Sequence, residues 1–200
     1  MRMRMIYTVL LSLFFSSVCM AAAPHEIAGY VLGGNIGDYQ AFIDPKTDMR
    51  IRYFESIHEV EVKRIPGFKS GLIRYGTCAE KGRILQIKLK YLDSSKTFYD
   101  ELLERFKQRF GKPSEWQGDP FHVVIAWKWT FTDKENNRIS LHLQHNTRDL
   151  EDKLGNSVKL SLVNGIEKES RCFDGKSEDP DKTGKEGASE PPDWDRLLPR

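Results

Sequence analysis

Two alternating stretches, "VVIAWKWTFT" (Val123–Thr132) and "RISLHLQH" (Arg138–His145), flank the polar loop "DKENN". They constrain the fold more than any other part of the chain. Period-two alternation makes a strand with one apolar and one polar face, and a short polar loop with Asn-Asn between two such strands makes a hairpin. With Thr132 opposite Arg138, Trp127 faces Leu143, Trp129 faces Leu141 and Phe131 faces Ile139. On the other face Lys128 meets His142 and Thr130 meets Ser140. A one-residue slip would set apolar against polar side chains along the whole hairpin, so the pattern selects this register.

The same alternation recurs in "RILQIKLKY" (Arg83–Tyr91), with Leu85, Ile87, Leu89 and Tyr91 on one side, and in "SVKLSLV" (Ser157–Val163), with Val158, Leu160 and Leu162 on one side. "GLIRYGT" (Gly71–Thr77) and "IHEVEVKR" (Ile57–Arg64) read as two further strands. Between Tyr91 and the hairpin lies "SSKTFYDELLERFKQRFGKP", in which Phe98, Leu102, Leu103, Phe106 and Phe110 recur at helical spacing. Ser94 or Ser95 can cap that helix, and Gly111 with Pro113 stops it. Its aromatic-rich stripe needs a surface to cover, and the sheet face bearing Val123, Ile125, Trp127, Trp129 and Phe131 is that surface. The two tryptophans are therefore expected in the core; the alternative, a paired-tryptophan ligand clamp, needs that face open. The expected fold is α+β: a single, mainly antiparallel sheet with one long amphipathic helix, about residues 95–110, packed on one face. No internal repeat is visible.

The ends are of a different kind. Arg2 and Arg4, an apolar run from Ile6 to Val18 and the small residues Ala21–Ala23 have the layout of a secretory signal peptide. The run falls short of the roughly 20 apolar residues a membrane span needs. Cleavage is expected after Ala21, with retention as an anchor the alternative. The domains then read as 1–21 signal peptide, 22–173 folded domain and 174–200 disordered charged tail, since the last segment is rich in charge, Gly, Pro and Ser. The chain has 31 basic and 29 acidic residues, and losing Arg2 and Arg4 leaves 29 of each. That balance gives no reason to expect nucleic acid as a partner or stable insertion into a membrane after cleavage. Location is expected to be periplasmic or secreted. In an oxidising compartment the remaining pair, Cys78 and Cys172, reads as a disulfide, two buried thiols being the alternative.

Catalytic and cofactor motifs are not found. The glycine cluster "GYVLGGNIGDYQ" (Gly29–Gln40) lacks both phosphate-loop spacings and reads as a turn ahead of the sheet. His142 and His145, three apart on a strand, point to opposite faces, so they do not make a metal pair. No cofactor and no metal are expected, and the chain leans away from being an enzyme. What it does offer is a polar sheet face carrying Lys88, Lys90, Lys128, His142 and Lys159. That face reads as solvated or as a docking surface for an acidic partner. The tail tip "PPDWDRLLPR" adds Trp194, Leu197 and Leu198, which share a side if the segment turns helical against a partner groove.

The run "FYDELLERFKQRFGKPSEW", followed by a Trp-bearing strand and a polar hairpin, resembles a pattern in small exported bacterial proteins of unknown function, across about residues 83–163. The layout is also similar to helix-on-sheet envelope modules that bind other proteins, such as the small accessory lipoprotein of the outer-membrane assembly machine and the β-lactamase inhibitor protein. The resemblance implies structural roles for Phe106, Phe110, Gly111, Pro113 and Trp116 and carries no catalytic residue. The functional expectation is a non-catalytic, protein-binding or accessory module of the bacterial envelope, with another envelope protein as partner. The alternative is a small secreted hydrolase using paired carboxylates.

Overall fold

The structure, a computed structural model, describes residues 22–52, 54–146 and 155–177. A short hairpin, β1 (Glu26–Ile27) and β2 (Tyr30–Val31), comes first. Its turn residues Ala28 and Gly29 both have positive φ, 52° and 86°, the backbone a two-residue primed turn requires. Four strands follow: β3 (Ile43–Ile51), β4 (Phe54–Val62), β5 (Phe68–Gly76) and β6 (Ile84–Tyr91). Helix α1 (Lys96–Phe110) leads to β7 (Glu115–Trp116), β8 (Val124–Thr132), β9 (Arg138–Asn146) and β10 (Gly155–Leu162), and α2 (Val163–Ser177) ends the described chain.

The expectation of a sheet with one long helix is overturned. The described residues are mostly β, an eight-stranded antiparallel sheet in the order β3-β4-β5-β6-β10-β9-β8-β7 plus the two-stranded hairpin, with two α-helices of fifteen residues each and one 3-10 turn, Ile36–Tyr39. Two elements account for the difference. β3, "IDPKTDMRI", hides its strand character behind Pro45 and four charges, and it occupies a sheet edge, where proline and charge are tolerated and discourage further pairing. In α2 the buried positions include a carboxylate, Glu169, so its periodicity is not apolar. It also runs through Ser177, past the Phe173 boundary read for the domain.

The hairpin register is the one its sequence dictates, from Thr132↔Arg138 through Trp127↔Leu143 to Ile125↔His145. Both helices pack on the apolar face. Phe106 of α1 lies 5.8 Å from Trp129 and Phe110 lies 5.9 Å from Phe131, ring centre to ring centre. Gly111, past the helix end, accepts a hydrogen bond through its carbonyl from Trp129 Nε1 at 2.8 Å. Trp129 is 1% exposed, whereas Trp127 is half-buried at the sheet margin, with Trp116 edge-on to it at 4.8 Å. The start of α1 is held by Ser95, whose hydroxyl accepts from Phe98 N, and by buried Asn156, whose amide donates to the carbonyls of Asp93 and Ser95. The Asn156 side-chain oxygen then accepts from His145 Nδ1 at 2.7 Å, so the inward histidine has a structural role.

The Gly29–Gln40 segment crosses the apolar face. Its glycines serve backbone pairing with β6: Gly33 N donates to Ile84 O, and Ile84 N donates to Gly34 O. Tyr30, Leu32 and Ile36 are buried there.

Cys78 and Cys172 are joined in a disulfide, Cα–Cα 6.0 Å, which ties the loop after β5 to α2. Beside it the Glu169 carboxylate accepts from three successive backbone N–H groups, Cys78 at 2.9, Ala79 at 3.1 and Glu80 at 2.7 Å. Gly76 is required here, because a Cβ at that position would overlap the carboxylate. Among the described residues no helix is long and apolar enough to cross a membrane.

Candidate functional site

With the helices on one face, the polar side chains of β4–β6 and β8–β10 collect on the other. Backbone pairing sets their order. Leu72 faces Lys88, Lys88 faces Lys159, Lys159 faces His142, His142 faces Lys128, and Lys128 faces Glu115. Four of the five side chains singled out from the sequence thus form one row across four adjacent strands. The fifth, Lys90, sits opposite Ser157 in the next row. On the opposite flank runs a parallel row, Glu59–Arg74–Gln86–Ser161–Ser140–Thr130.

The row is basic at its centre and acidic at its margins. Lys128 Nζ pairs with Glu115 at 3.0 Å, and Arg74 Nε pairs with Glu59 at 2.6 Å. Lys159, half-buried between them, has no carboxylate in ion-pair range among the described residues. Burial lowers its pKa, and the neighbouring charges that act on it, Lys88, Arg74 and Lys128, lower it further. Next to it His142 is pushed down to about 4, first by burial and then by Lys159 and Lys128, with Glu115 opposing. At neutral pH it is therefore an uncharged imidazole, its Nε2 3.1 Å from Ser140 Oγ. Gln86 Nε2 donates to Ser161 Oγ at 2.9 Å, completing a floor of short polar side chains beneath the lysines.

At the centre of this surface Lys159, Lys88, Arg74 and Lys128 are cations that repel one another. Arg74, the cation that completes the centre, was legible as the polar alternate of Ile73 in "GLIRYGT". Trp194, Leu197 and Leu198 lie outside the described residues.

Elsewhere, Asp48 holds His58 Nδ1 at 3.0 Å and accepts from Tyr75 OH at 2.6 Å. This is an oriented imidazole, and no hydroxyl or thiol among the described residues meets its other nitrogen. No group of three or more His, Cys, Asp or Glu side chains among the described residues is placed to hold a metal ion. Comparison with known proteins returns no family model, no curated protein and no solved structure that matches this chain.

Proposed function

We propose that this chain is an exported, non-catalytic binding module of the bacterial envelope, and that its open sheet face docks an acidic segment of another envelope protein. The carrying observation is Lys159. The fold half-buries this cation among Lys88, Arg74 and Lys128 and supplies it no carboxylate among the described residues. Leaving a desolvated charge unpaired is costly, and an incoming acidic segment relieves both the desolvation and the repulsion. Export is supported by the signal-like leader and by a disulfide that suits an oxidising compartment.

The test is capture from envelope extract followed by cross-linking and peptide mapping, with three baits. Wild type and a chain stopped at Ser177 should retain the same partner, cross-linked through an Asp/Glu-rich segment. The double variant Lys88→Glu/Lys159→Glu should lose it, and so should wild type at high salt. A partner lost on stopping at Ser177 but kept by the charge reversal would refute the sheet face and assign binding to the tail.

A further inference from the structure

Between α1 and the N-terminal segment lies a cavity of about 710 Å³ on the helix-covered face, remote from the lysine row. Its floor is Leu141, Val158 and Leu160, all nearly sealed from solvent. Leu102 and Phe106 of α1 form one wall and Ala22–Ala28 the other. The volume lies within the range of small-molecule sites, and the space opens to solvent.

The polar groups on the lining are unevenly charged. Arg105 and Arg109 lie one helical turn apart on the α1 side, with His25 and Glu26 across from them. Arg105 is engaged by Glu101 at 2.6 Å, and His25 lies 3.7 Å from Asp133. Arg109 rests against the Phe110 ring at 5.5 Å and has no ion-pair partner among the described residues. An apolar pocket with a guanidinium at its edge is complementary to a molecule with one hydrocarbon chain and one anionic head. We propose that this cavity binds a long-chain fatty acid, its tail against Leu141 and Leu160 and its carboxylate at Arg109. This site does not depend on the lysine face and goes beyond protein docking.

The probe is a fluorescent polyene fatty acid titrated into the protein as its own cells process it, with the methyl ester as the uncharged control. Saturable binding of about one equivalent is expected. Leu102→Trp, which fills the cavity from the helix, should weaken it at least about tenfold while the thermal unfolding temperature holds. Arg109→Glu should weaken binding of the acid by a similar factor and leave the ester unaffected. If Leu102→Trp does not fold, Ala23→Phe fills the same space from the opposite wall. No saturable binding, an unchanged affinity in the filled variant, equal loss of acid and ester in Arg109→Glu, or binding only to the surface of anionic vesicles would each overturn the proposal.

Discussion

At Lys159 burial and repulsion act in the same direction, and the neighbouring residues divide the cost unevenly. Lys128 and Arg74 each have a carboxylate, whereas Lys159 has only like charges among the groups that shift it. Lys159→Met keeps the aliphatic stem and removes the charge. It should raise thermal stability, by up to about 1 kcal/mol on the scale of cross-strand pairs, while lowering affinity for an acidic partner. A variant less stable than wild type would show that the ammonium is satisfied. His142 gives a pH signature. Its pKa is near 4 when folded and near 6.5 in an unfolded chain, so between those values the unfolded state binds more protons. The stability that rests on neutral His142 is complete above about pH 6.5 and is lost as pH falls toward 4. His142→Gln, which can still reach Ser140, should flatten that part of the Tm-versus-pH curve; identical curves would refute the shift. The sequence made both side chains legible as outward-facing, because the alternation fixed the face. It did not reveal that they are half-buried, since that depends on neighbours several strands away.

Among the elements, α2 is the one whose logic lies outside its own segment. A helix whose buried face includes Glu169 has no reason to form there until the loop Cys78–Glu80 offers it three N–H groups. The carboxylate then acts as an anion in a backbone nest, the disulfide holds the loop against the helix, and Ser56 Oγ donates to the Glu169 carbonyl at 2.9 Å. By contrast α1 and the β8–β9 hairpin were legible because each has its apolar period, cap and stop within about twenty residues. The Cys78–Cys172 pairing was legible through compartment chemistry rather than spacing. Glu169→Gln replaces one acceptor oxygen with an amide that faces N–H donors, so it should destabilise by about 1–3 kcal/mol with the disulfide intact. Gly76→Ala should do comparable damage, because its methyl group displaces the same carboxylate. Denaturant titration decides both; a loss under about 0.5 kcal/mol for Glu169→Gln would mean the nest is filled by solvent at no cost.

At the scale of the whole molecule, the element order repeats although the sequence shows no repeat. Strands β3–β6 are followed by α1 and strands β7–β10 by α2, and the sheet order is symmetric about the central β6–β10 pair. The first half's helix lies against β8 and β9, and the second half's helix contacts β4 and, less extensively, β9 and β6. Alternating strands are generic enough that this symmetry leaves no sequence trace, and the margins differ, with nine residues in β3 and two in β7. This placement of the helices has a physical consequence. α1 reaches across to strands of the second half and α2 bridges strands of both halves, and the seam pairs Leu89 with Val158 and Ile87 with Leu160, all essentially inaccessible to solvent. Separating the halves would expose that seam and both helix stripes at once, at roughly 25 cal/mol per Å² of apolar surface. The folded region is therefore expected to unfold in urea as one cooperative unit, with coincident fluorescence and circular-dichroism transitions. Fragments divided between Gly111 and Lys112, which leaves α1 with β3–β6, should each lack native-like amide dispersion alone and recover it on mixing. A fragment that folds by itself, or two separated transitions, would show that the halves are independent units joined edge to edge.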